Sequence, residues 1–305
     1  MAVACDEIVK NSWIFLENPS DKEVDLVVKQ TGVNEDLIKA ALDEEERARI
    51  EIDDNAKLII VDVPIIEEEN DNWYIYTTQP LGIIVHQDYL ITVCIKAPSV
   101  LTDFLGGRIK NFDLNKRTRF IYQILYNNAV KFLQNLRQID KASNKVQAQL
   151  HKSMNNKELL QLLDLEKSLV YFSTSLNANQ IVLDKMINSR VLAHFEEDQD
   201  LLDDVIVENR QAIEMCNVHK DVLSGTMDAF ASVISNNQNI VMKFLAAVTI
   251  LLAIPQMIAA LFGMNVTGIP FGTDSGVAWG FWIVTGISIA CMVVTFIIMI
   301  KRKMF

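Results

Sequence analysis

The chain has 305 residues, enough for one or two domains with a sizeable core, and its formal net charge is −11. Because an acidic surface repels phosphates, this charge argues against nucleic acid as a partner and favours cations. The 4 cysteines are isolated along the chain, so disulfides and a zinc knuckle are not expected. The sequence contains no nucleophile–base set, phosphate-binding loop or metalloenzyme motif. We therefore predict that the protein is not an enzyme and uses no organic cofactor.

Residues 1–98 are predicted to form a cytosolic α+β domain. A short strand is expected at "WIFL", which begins at Trp13, followed by a helix that Ser20 caps and Gly32 closes. A second helix is predicted through "EDLIKAALDEEERAR", residues 35–49. Runs rich in Ile, Val and Tyr then predict strands over residues 57–66, 73–78, 81–85 and 89–95.

Long helices are expected after Pro98, because no further proline occurs before Pro255. Residues 99–197 are predicted to form long antiparallel cytosolic helices that turn at "MNNKE". A third helix is predicted to run without interruption from about residue 200 to residue 262. A stalk over residues 198–243 would therefore continue directly into the membrane.

Two apolar segments are long enough to span a bilayer, which requires about 20 residues. They cover residues 244–262 and 277–300, and the loop between them, residues 263–276, has no lysine or arginine. Lys243 precedes the first span, and the tail, residues 301–305, is basic. The positive-inside rule therefore predicts an integral protein of the plasma or inner membrane, surrounded by lipid, with both termini in the cytosol and the loop outside.

One face of the first predicted span is small and polar, whereas the other positions are almost all Leu, Ile, Val or Phe. By the three–four spacing of a helix, this face consists of Asn239, Met242, Ala246, Thr249, Ala253, Gln256, Ala260 and Gly263. Close helix packing is one interpretation, because small residues allow backbones to approach. A pore is the other, because the Gln256 amide at bilayer depth must face protein or water. Two spans cannot enclose a channel, so a pore requires a symmetric ring of copies.

The outer loop begins with Gly263, Met264 and Asn265, directly after the predicted stalk and first span. A glycine or asparagine alone indicates little more than a helix end, since both tolerate a left-handed backbone. Here the Gly-Met-Asn motif stands together with two C-terminal spans, the entrance "NNQNIVMKFL" and a basic tail. This combination resembles the CorA family of divalent metal ion transporters, and the similarity extends over the whole predicted architecture.

The resemblance implies a funnel-shaped homopentamer that passes hydrated Mg²⁺, and also Co²⁺ or Ni²⁺, passively down its electrochemical gradient. Gly263, Met264 and Asn265 would form the ion-selective outer mouth. Asn239 matches the asparagine at the cytosolic end of the family's pore, and Leu245 matches an apolar constriction.

The sequence departs from the family pattern at two places. Ala253 stands where a methionine can occur, which would widen the pore at mid-membrane. The loop sequence "VTGIPFG" lacks the acidic residue that follows the motif in some relatives, and its "GIP" resembles the ZntB branch, which moves Zn²⁺. A Zn²⁺ transporter is therefore the alternative within the family, whereas Met264 favours the Mg²⁺ branch.

The resemblance further implies a regulatory Mg²⁺ ion held between the long helix and acidic residues of a neighbouring subunit, which keeps the ring closed. Counted back from the motif, Asp204 occupies the helix position, and Asp203 adjoins it. Candidate partners lie in a predicted loop of the α+β domain: Glu67, Glu68, Glu69 and Asp71. The simpler interpretation of both clusters is a solvated acidic surface.

The remaining polar clusters are predicted to have no metal-binding role. The acidic run over residues 43–46 is expected to lie on the surface of the second helix. The 4 histidines, His86, His151, His194 and His219, have no metal-ligand spacing and look incidental.

A function of another class is also open, that of a membrane-anchored coiled-coil scaffold whose spans only tether it. A scaffold of this kind needs no polar face within its span. The polar residues Thr249, Gln256 and Asn265 count against it.

Overall fold

The computed structural model describes residues 8–69, 73–109, 113–153, 156–189, 192, 195–264 and 279–302. The chain divides into two compact units, Met1–Met227 and Asp228–Phe305. The predicted domain boundaries at residues 98 and 197 fall inside the first unit, because the sheet and the helices that follow it share one hydrophobic core.

A mixed sheet of five described strands forms the centre of the first unit. The strands are β1 (Trp13–Glu17), β2 (Arg49–Ile52), β3 (Ala56–Glu69), β4 (Trp73–His86) and β5 (Leu90–Cys94). Their spatial order is β1-β5-β4-β3-β2, with β1 parallel to β5 and the other neighbouring pairs antiparallel. The helices are α1 (Asp21–Thr31), α2 (Glu35–Ala40), α3 (Ser99–Leu105), α4 (Arg117–Ser153), α5 (Asn156–Ser189), α6 (Glu196–Phe262) and α7 (Gly280–Lys301). This sheet followed by long helices confirms the predicted fold class.

The first helix has the predicted ends. The Ser20 backbone N–H donates to the Glu23 carboxylate at 2.7 Å, as in a capping box, and this bond holds the pKa of Glu23 below its usual range. After Thr31, Gly32 adopts a left-handed conformation with φ of 72°, and its N–H donates to the Val28 carbonyl. Local residue chemistry is therefore sufficient to define α1.

The second helix is shorter than predicted, and the expected continuation to residue 49 is wrong. It ends at Ala40, and the Asp43 carboxylate accepts a hydrogen bond from the Glu45 N–H at 3.0 Å. Such a local side-chain bond favours a turn over a helix. The acidic run over residues 43–46 is thus a turn rather than a helix surface, and Arg49 begins β2, a strand that the sequence analysis missed.

The fourth strand is continuous where two strands were predicted. The sequence suggested a break at Gln79 and Pro80, but β4 runs through both residues. The neighbouring strand β5 pairs with β4 only from Leu81 onward, so the missing N–H of Pro80 removes no bond to β5.

Helices cover both faces of the sheet. The smaller core lies under α1 and α2, where a Cβ on Gly82 would be only 2.4 Å from the Ala41 Cβ, so this close approach requires glycine. The larger core lies under the long helices. It includes Ile59, Leu81 and Ile83 of the sheet, and Phe120, Val182 and Val205 of α4, α5 and α6.

The β3–β4 hairpin extends beyond the other strands, and helices satisfy its free edge. Since β2 pairs with β3 only as far as Ile60, the backbone of Asp62 faces away from the described strands on that side. The buried Asn179 of α5 accepts from the Asp62 N–H and donates to the Asp62 carbonyl, both at 2.8 Å. The buried Asn128 of α4 donates to the same carbonyl at 2.8 Å. These amides replace the missing strand.

The Asp62 carboxyl makes the stability of this region depend on pH. Burial raises its pKa from 3.8 to about 6, and the Ser175 hydroxyl bond opposes only part of this effect. Because the folded state holds the proton more strongly than the unfolded chain, stability should rise as the pH falls from about 6 to about 4. We expect Asp62→Asn to raise the free energy of unfolding at about pH 8 by about 2–3 kcal/mol, at about 1.4 kcal/mol per pKa unit.

Thermal unfolding of the detergent-solubilised protein across this pH range measures the effect. The gain from Asp62→Asn should disappear near about pH 4, where the wild-type carboxyl is protonated in the folded state. The exposed Asp54, in the turn before β3, supplies the control variant Asp54→Asn. An equal and pH-independent change in both variants would contradict the prediction.

The long helices agree with the predicted arrangement. The helices α4 and α5 lie on either side of the "MNNKE" turn, of which Met154 and Asn155 are outside the described residues. The predicted third helix is α6, a single helix of 67 residues that contains Pro255. Its first part packs on α5, where the Asn209 amide donates to the Leu176 carbonyl at 3.2 Å.

The second unit contains the remainder of α6 together with α7. Both helices include an apolar window long enough to cross a membrane, and only 6% of each window is buried within the protein. A core helix of a soluble protein would be mostly buried, and neither window lies near the N-terminus as a signal sequence would. Two lipid-facing spans fit this exposure.

Candidate ion-conducting face

The small and polar face predicted from the sequence is an exposed face of α6. All the predicted pore-lining side chains are exposed in the single chain: Asn239, Met242, Leu245, Ala246, Thr249, Ala253, Gln256 and Ala260. Met242 is 64% exposed and Leu245 is 58% exposed. The structure therefore brings these residues together on one helix surface that the rest of the chain leaves open.

The opposite face of the same helix is the less exposed one. Ala247 is fully buried, and Leu251, Ile254, Ile258 and Phe262 are partly buried at intervals of three or four residues. In α7 the less exposed positions also recur at this interval, at Gly280, Val284, Ser288, Met292, Thr295 and Met299. Two helices that pack side by side show this pattern. In each helix the partly covered positions thus lie on one side, which in α6 is the apolar side and not the polar one.

The polar groups of the exposed face include oxygen atoms that can accept hydrogen bonds. The Thr249 hydroxyl donates to the Leu245 carbonyl at 2.8 Å, which leaves the lone pairs of its oxygen directed outward. Gln256 is exposed about two turns further along, directly after the partly buried Pro255. Oxygen atoms of this kind are ligands for hard cations and for the water that surrounds them.

At the outer end of α6 the structure describes Gly263 and Met264, whereas Asn265 lies outside the described residues. Gly263 is not in the left-handed region, so it is not the simple helix stop that the sequence allowed. Its N–H donates to the Ala259 carbonyl at 2.9 Å, and a Cβ there would approach that carbonyl oxygen to 3.1 Å. Glycine therefore leaves the backbone at the end of the helix uncrowded. Met264 is 53% exposed.

The predicted regulatory acids are only partly described. Asp203 and Asp204 are exposed on α6, and Asp203 accepts a bond from the Gln199 amide at 3.1 Å. Glu67, Glu68 and Glu69 belong to the end of β3, so the predicted loop is wrong for these residues, and Asp71 lies outside the described part of the chain. Within the described residues of the single chain, no group of three or more His, Cys, Asp or Glu side chains forms a metal site.

Two acids at the start of α6 have partners that the sequence analysis missed. Asp198 is 4% exposed and accepts from the Arg119 guanidinium at 3.0 Å. Glu197 pairs with Lys116 at 3.0 Å, and this pairing holds the pKa of Glu197 below its usual range. Lys116 directly precedes α4 and Arg119 lies in its first turn, too far away in the chain for any sequence spacing to indicate the contact. The buried Asp198 therefore joins α6 to α4, whereas the exposed pair of Glu197 and Lys116 contributes little to this contact.

The fold and this face define a class of protein, a membrane protein with an α+β unit and a polar face exposed on its first span. The model of the family described as CorA-like Mg²⁺ transporter protein matches residues 10–302. The chain belongs to this family, whose members transport divalent cations.

Individual relatives agree with the family assignment. The chain is 27% identical over 295 residues to the cobalt/magnesium transport protein CorA of Methanocaldococcus jannaschii, covering 95% of this chain and 90% of that protein. The complete structure of the CorA magnesium transporter from that organism superposes with a TM-score of 0.78 at 26% identity, over 94% of this chain and 89% of that chain. The ZntB cytoplasmic domain from Vibrio parahaemolyticus gives a TM-score of 0.56 at 14% identity, over 77% of this chain and 91% of that chain, a likeness of fold alone.

Proposed function

We propose that this protein carries divalent cations passively across the plasma or inner membrane, with Mg²⁺ as its main substrate and Co²⁺ and Ni²⁺ as further substrates. The observation that carries the proposal is the exposed polar face of α6, which lies within an otherwise apolar span. A span that only tethers the protein does not require this face. Burying its polar groups at bilayer depth raises the free energy unless they face protein or water.

The mouth formed by Gly263, Met264 and Asn265 is proposed to bind the ion with its hydration shell. Mg²⁺ dehydrates reluctantly, so a site that accepts the hydrated ion avoids a large unfavourable free energy. Asn265 amide oxygens from several copies would accept hydrogen bonds from this shell, and the negative ends of the α6 dipoles would attract the cation. Met264 supplies a soft sulfur, a poor ligand for Mg²⁺, and would instead pack beneath the mouth.

The pore itself is proposed to form in a symmetric ring of copies, a funnel-shaped homopentamer as the family resemblance implies, with both termini in the cytosol. In this ring the exposed face of α6 lines the axis. Oxygen atoms of Thr249 and Gln256 would accept hydrogen bonds from the water around the ion, and Leu245 would form an apolar constriction. Ala253 would leave the pore wide at mid-membrane.

Uptake measurements in proteoliposomes test the proposed substrate. Mg²⁺, Co²⁺, Ni²⁺ and Zn²⁺ are compared under the same membrane potential and without any other ion gradient. We expect Mg²⁺ uptake that follows the potential and competes with Co²⁺. Uptake of Zn²⁺ alone would favour the Zn²⁺ alternative, and the absence of any uptake would favour the membrane-anchored scaffold.

Regulation by cytosolic Mg²⁺ is proposed to use Asp204, with Asp203, Glu67, Glu68, Glu69 or Asp71 of a neighbouring copy as partners. Mg²⁺ bridging these carboxylates would hold the ring closed, and its loss would leave carboxylates that repel one another. The exposed position of Asp204 on α6 supports this role, because a bridge between copies requires an accessible side chain.

For Asp204→Ala we expect transport to continue at internal Mg²⁺ concentrations that close the wild-type protein. The concentration for half closure should rise about tenfold or more, a loss typical of removing even an outer-shell partner of a metal ligand. Glu214→Ala, at an exposed acid about three turns further along α6, is the matched control. Unchanged closure in Asp204→Ala would remove Asp204 from the regulatory site.

A further inference from the structure

An open cleft of about 1080 Å³ lies at one end of the sheet in the first unit. The β2–β3 turn and the β4–β5 turn meet there, because Ala56 at the start of β3 pairs with His86 at the end of β4. Residues 115–118 at the start of α4 and residues 195–198 at the start of α6 form its other walls. Small-molecule sites in proteins measure about 300–1000 Å³, so a cleft of this size has room for an organic ligand.

The start of α4 presents backbone donors that lack partners. The helix has 37 residues, and no acidic residue lies in its first turn. In the described part of the chain, no acceptor contacts the backbone N–H groups of Arg117, Thr118 and Arg119. The first N–H of the helix with a partner is that of Phe120, which donates to the Lys116 carbonyl at 3.0 Å. Unpaired donors at the positive end of a long helix dipole attract an anion.

The Thr118 side chain is a second, independent indication of a ligand. It is only 7% exposed, and it lines the cleft. Its hydroxyl has no hydrogen-bond partner among the described residues. A buried hydroxyl in this state is unfavourable, so an acceptor atom bound in the cleft would stabilise it. Phosphate supplies several such acceptor oxygens, to which a hydroxyl can donate.

Positive charge adjoins these donors. The Arg117 guanidinium donates to the His86 and Gln87 carbonyls and to the Asn11 Oδ1, the last at 2.6 Å. These three partners are neutral oxygen atoms, so they do not cancel the charge of Arg117. A permanently charged guanidinium beside unpaired helix N–H groups favours phosphate as the anion.

Acidic side chains on the other walls decide which form of phosphate fits. Glu197 and Asp198 are already paired with basic side chains at the start of α4. Asp53, Asp54 and Glu196 also line the cleft and would repel a bare phosphate. Mg²⁺ reconciles the two charges, because proteins bind it through one or two carboxylates together with the phosphate oxygens of a ligand. A phosphate that carries its own Mg²⁺ therefore fits this cleft.

We propose that the cleft binds a magnesium-bound nucleoside phosphate, with its phosphate groups at the start of α4 and its Mg²⁺ facing the acidic walls. Phe195 also lines the cleft and is 55% exposed, so a nucleobase can stack on its ring. Inorganic phosphate shares the anion chemistry but makes no use of Phe195. None of these residues belongs to the mouth or to the regulatory acids proposed above, and the site does not depend on the proposed function.

Calorimetric titration of the full-length protein in detergent with ATP and excess Mg²⁺ tests the proposal. We expect one ATP molecule per chain and weaker binding when EDTA removes the Mg²⁺. Thr118→Val keeps the shape of the side chain but removes its hydroxyl, so it should weaken ATP binding about tenfold or more. Thr118→Ser keeps the hydroxyl and should retain most of the affinity.

The controls separate this site from other parts of the protein and from free phosphate. Thr102→Val, at an exposed threonine of α3, should bind ATP as the wild type does. Asn265→Ala should bind it as well, so a failure of the proposed pore leaves the result intact. Phe195→Ala should weaken the binding of ATP but not that of inorganic phosphate.

Thermal unfolding establishes that each variant is folded. If Thr118→Val does not fold, Phe195→Ala decides, because its side chain is largely exposed. Three results would overturn the proposal: no binding of ATP, binding of inorganic phosphate alone, or ATP binding that is unchanged in Thr118→Val or in the absence of Mg²⁺.

Discussion

Replacing Asn265 with alanine is expected to reduce Mg²⁺ uptake by about 10–100-fold per pore. The reason is that each amide oxygen lost from the mouth removes a hydrogen bond to the hydrated ion, and such charge-assisted bonds contribute about 1.5–3 kcal/mol. A tenfold change corresponds to about 1.4 kcal/mol. The methyl group of alanine has no acceptor that could replace this bond. Uptake into proteoliposomes, normalised to the amount of reconstituted protein, measures the effect.

A matched control for this variant is Asn188→Ala. Asn188 is an exposed asparagine of α5 whose amide donates to the Asp184 carbonyl at 2.9 Å. It lies in the first unit, so its loss should leave Mg²⁺ uptake unchanged. If Asn265→Ala took up as much Mg²⁺ as the control variant, the proposed role of Asn265 in binding the hydrated ion would be wrong. That role is the central element of the proposed function.

The second large effect is expected at Gln256, the polar side chain deepest within the apolar run. Gln256→Leu removes an amide that would accept hydrogen bonds from the hydration shell at mid-membrane, where the low dielectric makes this interaction strong. Mg²⁺ uptake should fall about tenfold or more, since one charge-assisted hydrogen bond contributes about 1.5–3 kcal/mol. Gln256→Asn keeps the amide on a shorter side chain and should restore part of the activity.

A control variant at the adjacent residue Met257 distinguishes the loss of the Gln256 amide from a change in helix packing. Met257 is 60% exposed, lies about 100° around the helix from Gln256 and carries no hydrogen-bonding amide. Met257→Leu changes the packing in the same turn of α6 and should leave uptake close to that of the wild type. If both leucine variants lost uptake equally, the role of Gln256 would be in helix packing, which is the alternative interpretation of the face.

The sequence was most informative where local chemistry and periodicity decide the structure. The capping residues Ser20 and Gly32 defined α1 because their interactions are with residues of the same turn. The long proline-free stretch predicted α4 and α5, and the unbroken apolar period predicted α6 up to Phe262. The polar face of the first span also followed from spacing alone, because residues three and four apart share a helix face.

The sequence was least informative where a distant partner decides. The second helix stops at Ala40 because an Asp43 turn and strand β2 compete with helix propensity, and β2 exists only through its pairing with β3. The acidic residues 67–69 were predicted to lie in a loop, but they extend β3 and pair with β4. Strand pairing joins residues that are distant in the sequence, and a run of charged residues does not indicate such a partner.

By its motifs the sequence resembled the CorA family, and by itself it determined two apolar spans, a long helix and a polar face that ends in the Gly-Met-Asn motif. These features depend on periodicity, length and hydrophobicity, which act within one segment. Only the tertiary structure decided which acids are engaged, how Asn128 and Asn179 complete the sheet edge, and that His219 meets Asp140. The reason is physical, since each of these contacts joins side chains from separate elements whose distance is set by the packing of the whole unit.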